Sequence, residues 1–282
     1  MIPEKTALVM EGGGFRGIYT SGILDCFMES GLTFPYIIGV SMGAVNGINY
    51  VSNQPERSIE IARTYMPDKR YMGFRNLIKE GNFFSRNFAY NEIPRRYNLF
   101  DMKTYYESKQ QFFMTATDCE TGEARFFEKM EYEAGDLVAA STALPFMSHP
   151  VEIDGHFYMD GGIADSVPIK KALADGNQKA VVILTREKGY RKEPYGHETM
   201  VRIYYHKYPA FAEAVLNRHL FYNETMDLLD ALEASKKIYI LRPEKPIQTK
   251  VIDRDSKGIE KSYHIGYEQC NIEKNRLMRY LE

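Results

Sequence analysis

The spacing of apolar residues changes period twice within the first fifty positions. Thr6 to Met10 is a short β-prone run, and after a glycine-rich turn Ile23, Leu24, Phe27 and Met28 share one helical face. Gly31 supplies a stop. Phe34 to Val40 is a second buried run of strand type, and Met42 to Ser52 resumes a helical pattern. Strand, loop, helix, strand, helix predicts a parallel sheet with helices on its faces.

Residues 55–100 hold no strong strand; they mix helical segments with aromatics and arginines, as expected of a cap inserted above a sheet. Gln111 to Thr117 and Glu123 to Glu128 read as a hairpin through Asp118, Glu120, Thr121 and Gly122, so the sheet is expected to be mixed. Further on, Glu133 to Thr142 is helical, His156 to Met159 strand-like, Val167 to Asp175 helical with Gly176 as its stop, and Ala180 to Thr185 a buried strand. After a charged loop, Arg186 to His197, the pattern is helical to about Lys236. A short strand, Lys237 to Leu241, and a helix from about Ile259 follow.

The chain has 282 residues, enough for one large α/β domain. Its 36 Lys and Arg against 38 Asp and Glu leave no net field to draw it to nucleic acid. No stretch is long and apolar enough to span a bilayer, and the N-terminus lacks the basic and apolar regions of a secretory signal. Three cysteines, Cys26, Cys119 and Cys270, without paired metal-ligand spacing favour reduced thiols and a cytoplasmic location.

Two glycine motifs carry the chemistry. Gly39-Val40-Ser41-Met42-Gly43 fits G-x-S-x-G between a predicted strand and a predicted helix, where the glycines permit the sharp turn that presents a nucleophilic serine. Gly12 to Gly17 contains G-x-G-x-x-G, which also suits a dinucleotide site. Such a site needs an acidic residue at the end of the next strand. That strand instead ends at Ser41, 24 residues after Gly17, so the loop serves better as a cradle of N–H donors for an oxyanion.

With these motifs in view, the chain resembles the patatin-like phospholipase family. The resemblance rests on Gly12 to Gly17 with Arg16, on Gly39 to Gly43, on Ala140-Ser141-Thr142-Ala143-Leu144-Pro145, and on Asp160-Gly161-Gly162 with Pro168 following. Ser166 departs from the asparagine of many relatives. The resemblance implies a three-layer α/β/α fold with a largely parallel central sheet and a helical cap. It implies a patatin-like catalytic domain over 1-185, with the cap at about 55-100, and a mainly helical C-terminal extension, 186-282, packed on the same domain.

What the resemblance implies for function is a serine acyl-ester hydrolase acting on lipids. Ser41 would be the nucleophile and Asp160 the proton acceptor; Gly12, Gly13, Gly14, Arg16 and Gly17 would form the oxyanion hole, with Gly39, Gly43, Gly161 and Gly162 as motif glycines. No metal or cofactor is implied, and no oligomeric state. The rivals are a nucleotide-dependent oxidoreductase using Gly12 to Gly17 and a non-catalytic lipid-binding protein of the same fold. Histidines at His197, His206, His219 and His264 follow Asp160 in the chain order of a hydrolase triad, but none sits in a convincing loop signal. His149 and His156 match no motif. Basic residues among 69–97 (Lys69, Arg70, Arg75, Lys79, Arg86, Arg95 and Arg96) interleave with Phe74, Phe83, Phe84, Phe88, Tyr90 and Tyr97. Two readings stand for this segment: the cap rests on an anionic membrane surface, or its aromatics pack inward beneath a solvated charged face.

Overall fold

The computed structural model describes residues 2–253 and 255–282. Its strands are β1 (Thr6–Met10), β2 (Tyr36–Val40), β3 (Gln111–Asp118), β4 (Ala124–Glu128), β5 (Val151–Ile153), β6 (His156–Asp160), β7 (Lys179–Ile183) and β8 (Ile238–Leu241). They form one sheet in the order β5-β6-β3-β2-β1-β7-β8, with β4 also on β3. The central five, from β3 through β2, β1 and β7 to β8, run parallel. The β3–β4 hairpin and the β5–β6 hairpin add antiparallel pairs at one side.

Side-chain alternation divides the core into two layers. Leu8, Met10, Ile37, Val181 and Ile183 face α1 (Ile18–Glu29), α2 (Met42–Val51), α6 (Ala134–Thr142) and α10 (Ser256–Leu281). Ala7, Val9, Ile38, Ala180 and Val182 face α7 (Ile169–Ala174) and α9 (Pro209–Ala234). The result is a three-layer α/β/α sandwich. Between α2 and β3 lie α3 (Arg57–Tyr65), α4 (Phe74–Glu80), a π-helical stretch Phe88–Tyr97 and α5 (Met102–Glu107); α8 (Glu198–Tyr204) precedes α9.

The last hundred residues are woven into all three layers: β8 extends the sheet, α9 covers one face and α10 lies on α1 across the other. Gly22 and Gly266 allow that close crossing, because a Cβ at either would stand 2.1 or 2.0 Å from a carbonyl oxygen of the opposite helix, Tyr263 and Tyr19 respectively.

Two sequence expectations change. Cys26 on α1 and Cys270 on α10 form a disulfide across 244 residues, so of the three thiols expected to be reduced Cys119 alone is free, and it is buried. The periodicity gave no hint that α1 and α10 would lie side by side. The strand β5 went unread because it is three residues long, although the Asp154-Gly155 turn that joins it to β6, with φ 51° and 79°, carries the usual hairpin residues.

Candidate active site

Ser41 is held in a conformation that ordinary turns avoid. Its φ of 54° and ψ of −122° place it between β2 and α2, at a strain cost of roughly 1–3 kcal/mol. Glycine is obligatory on both sides of it. A Cβ on Gly39 would lie 2.6 Å from the Gly43 carbonyl oxygen, and one on Gly43 would lie 2.6 Å from that of Met10. The backbone N–H of Ser41 donates to Ser141 Oγ at 2.9 Å, and that hydroxyl donates to the Thr115 carbonyl at 2.7 Å. Ser141 stands in a segment singled out from the sequence, but its hold on the elbow is visible only in three dimensions.

Asp160 ends β6. Its N–H donates to Ala143 O at 2.9 Å and its carbonyl accepts from Thr117 Oγ1 at 2.9 Å, so the backbone is fixed on both sides. Its Oδ2 accepts from Ser41 Oγ at 2.7 Å and its Oδ1 from the Gly162 N–H at 2.8 Å. Gly161 must be glycine, since a Cβ there would stand 2.2 Å from Thr115 O. Burial pushes the Asp160 carboxyl above the usual range. The Ser41 hydroxyl, Arg218, the Gly162 N–H and Lys192 pull in the other direction.

The glycine loop runs past this pair from β1. Gly14, at φ 56°, opens a single 3₁₀ turn, Gly14–Gly17, that leads into α1. Among the described residues no backbone acceptor faces the N–H groups of Gly12, Gly13 or Gly14, whereas Phe15 N–H donates to Val251 O at 3.1 Å. The loop is pinned from beneath by Glu11, whose buried carboxylate accepts from Thr185 N–H at 2.6 Å and Tyr222 OH at 2.9 Å. Arg16 is mostly buried beside Arg186 and Glu11; burial foremost, and then Arg186, lowers its pKa.

Residues distant in sequence complete the surroundings. The Arg218 guanidinium on α9 donates to Gly162 O, and Lys192 Nζ donates to Ser166 Oγ at 3.2 Å, which in turn donates to Gly162 O at 2.8 Å. Sequence reasoning assigned no role to Glu11, Arg218 or Lys192, because each acts through a neighbour more than twenty positions away. The histidines stand apart. His206 and His219 bond carbonyls one turn back on their own segments, and His149, His156, His197 and His264 are exposed.

A cavity of about 470 Å³ opens on Ser41 and follows α2 beneath the cap; Met42, Val45, Ile48, Phe84, Tyr90 and Phe100 are among its lining. In the cap itself Phe83 and Phe88 are buried, while Phe74, Ile78, Tyr97 and Leu99 are exposed. Among the described residues no helix is long and apolar enough to cross a membrane, and no three His, Cys, Asp or Glu side chains cluster as metal ligands.

The family model described as patatin-like phospholipase matches residues 8–173, and a domain of unknown function (DUF6363) matches residues 208–282. Uncharacterized protein YjjU of Escherichia coli (strain K12) is 26% identical over 270 residues, covering 94% of this chain and 75% of that protein. Lysophospholipase nte1 of Aspergillus terreus is 26% identical over 181 residues, 60% of this chain but 11% of the fungal protein. Probable lipid hydrolase 463L of Invertebrate iridescent virus 6 is 24% identical over 189 residues, 61% of this chain and 64% of the viral one. Among solved structures, VipD from Legionella pneumophila superposes with a TM-score of 0.47 at 13% identity, over 99% of this chain and 67% of that one.

Proposed function

The chain belongs to the patatin-like phospholipase family and is a carboxylic ester hydrolase; we propose that it cleaves lipid acyl esters with Ser41 as nucleophile and Asp160 as its general base. The observation that carries this reading is the 2.7 Å hydrogen bond from Ser41 Oγ to Asp160 Oδ2, made from a strained turn that lines the cavity beneath the cap. An aspartate of ordinary pKa, ~3.9, is a weak base at neutral pH. Burial strengthens it, and the Gly162 N–H keeps it aligned.

In acylation Asp160 Oδ2 takes the Ser41 proton as Oγ attacks the ester carbonyl, and the N–H groups of Gly13 and Gly14 stabilise the oxyanion. Collapse expels the alcohol, which leaves with the proton from Asp160. Water then attacks the acyl-enzyme, gives its proton to Asp160, and the acid departs as Ser41 recovers its hydrogen. In this scheme Arg16 braces the glycine loop, and Gly12 and Gly17 let it pass close to the nucleophile turn, where a Cβ would stand 3.0 Å from Ser41 Cβ or 2.5 Å from Met42 Cγ.

The cap supports a further part of the reading, contact with an anionic membrane surface. Exposed Phe74, Ile78, Tyr97 and Leu99 stand among exposed Arg75, Lys79, Arg95 and Arg96. Replacing Arg95 and Arg96 by Gln is expected to weaken binding to anionic vesicles at low salt while sparing short-chain ester hydrolysis.

The deciding experiment compares wild type with Ser41→Ala on monoacyl, lysophospholipid and diacyl substrates, alongside fluorophosphonate labelling. Loss of hydrolysis by about a thousandfold or more, with loss of labelling in a folded variant, is expected. Retained activity would refute the proposal.

A further inference from the structure

The cavity wall carries charge as well as apolar surface, with Arg57, Arg86, Arg95, Glu133 and Asp136 among its lining. Met42, Val45, Ile48 and Asn49 recur along one side of α2 as lining, so at 1.5 Å per residue Asn49 lies roughly 12 Å along the helix from Ser41. Arg57, the first residue of α3, lines the cavity there. It is only 6% exposed.

The Arg57 guanidinium is held but not neutralised. Its Nη1 donates to Asn49 Oδ1 at 2.7 Å and its Nη2 to Asn98 O at 2.9 Å, while Nε has no partner. Among the described residues no carboxylate lies within ion-pair distance of it. Arg86, another cation in the lining, has Asp136 near it, and Arg95 is exposed. The position of Arg57 is set by a buried chain. Asn49 Nδ2 donates to Ser58 Oγ at 2.8 Å, Ser58 Oγ to Asn46 Oδ1 at 2.8 Å, and Asn46 Nδ2 to Gly17 O at 2.7 Å.

A neutral amide satisfies Asn49 and the Asn98 carbonyl as well as a guanidinium does, without the desolvation cost of a buried cation. That cost is visible in the Arg57 pKa, which burial lowers to about 10 although Glu60 acts in the opposite direction. The side chain still carries its charge at neutral pH. A fixed, buried guanidinium without a carboxylate partner, in the wall of a cavity of mixed polar and apolar lining, is complementary to an anion.

We propose that Arg57 recognises an anionic oxygen group carried by the substrate about 7–10 Å from the scissile carbonyl. The proposal rests on the ester-hydrolase reading and narrows its substrate class to amphiphilic esters with an acidic group at that distance. A headgroup phosphate and a carboxylate at the far end of a short acyl chain present the same chemistry.

Two substrate pairs separate these sources: 1-oleoyl lysophosphatidylglycerol against 1-oleoylglycerol, and 4-nitrophenyl hydrogen azelate against 4-nitrophenyl nonanoate. The readout is the ratio of kcat/KM for the anionic member to that of the neutral one. Wild type is expected to favour the anionic member of one pair by about tenfold or more, and Arg57→Gln to abolish that preference through KM. Arg57→Lys, which keeps the charge, is expected to retain part of it. A wild-type ratio near one in both pairs, or an undiminished ratio in Arg57→Gln, overturns the proposal. Should Arg57→Gln fail to fold, wild type alone decides: dodecyl phosphate is expected to inhibit 4-nitrophenyl butyrate hydrolysis at least about tenfold more tightly than dodecanol, and equal inhibition overturns the proposal. Hydrolysis that persists in Ser41→Ala would refute the hydrolase reading itself. Ser41-dependent hydrolysis without charge preference refutes only the role of Arg57.

Discussion

Ser141 Oγ accepts the backbone N–H of Ser41 at 2.9 Å, across a hundred residues of sequence. Because the same hydroxyl donates to Thr115 O at 2.7 Å, it ties the turn after β2 to the neighbouring strand β3. Both groups it serves are buried, and neither has water to turn to when the hydroxyl is removed.

Ser141→Ala is therefore expected to lower stability by about 1–3 kcal/mol, the cost of a buried donor and acceptor left unpaired. Loosening of the elbow should also lower kcat on a short-chain ester by about tenfold with KM nearly unchanged. Chemical denaturation and steady-state kinetics on the same preparation check both. An unaltered kcat would show that the strain at Ser41 is maintained without Ser141.

Asp160 should show a conflict between function and stability. Burial raises its carboxyl above the unfolded value, so the native state binds that proton more tightly than the unfolded chain does. The associated stability is fully present below the unfolded pKa of ~3.9 and is lost as pH rises through the folded value. Asp160→Asn removes this titration and can still meet Ser41 and the Gly162 N–H. The variant is expected to be nearly inactive yet more stable than wild type at about pH 8, with the gap closing toward pH 4. A gap that does not vary with pH would contradict this account.

The pH profile of activity tests whether a histidine takes part. With Asp160 as base, kcat/KM on a short-chain ester should fall as pH drops through its raised pKa. Single Gln replacements of His197, His206, His219 and His264 should each leave turnover within about tenfold of wild type, against the ~10²–10⁴ that loss of a general base costs. A folded histidine variant as impaired as Ser41→Ala would make Asp160 an orienting residue behind that histidine.

Gly14 has two independent reasons to be glycine: its φ of 56° and the 2.2 Å that would separate a Cβ from Val251 O. Gly14→Ala must either rotate the loop or displace the segment around Val251. Turnover is expected to drop by roughly a hundredfold through loss of oxyanion donors, with a lower unfolding midpoint. Val251→Ala keeps the carbonyl that accepts from Phe15 and should leave the midpoint near that of wild type. Unchanged turnover in Gly14→Ala would place the oxyanion donors elsewhere.

Local pattern alone determined the alternation of β1, α1, β2 and α2, the hairpin β3–β4 and the helical C-terminus, because hydrophobic period and glycine stops are properties of short segments. It also singled out Ser41, since a sharp turn needs glycines adjacent in sequence, whereas Asp160 stood out only through the resemblance of its Asp160-Gly161-Gly162 block to the family. Tertiary structure decided the rest. The contact of Ser41 with Asp160 spans 119 residues, the Glu11–Tyr222 bond 211 and the Cys26–Cys270 disulfide 244. Period and turn chemistry carry no information at those separations, because such contacts depend on how whole layers stack. The unpaired charge of Arg57 belongs to the same class. An arginine opening a helix reads as a surface residue in sequence, and only the closure of the cap over α2 buries it without a counter-ion.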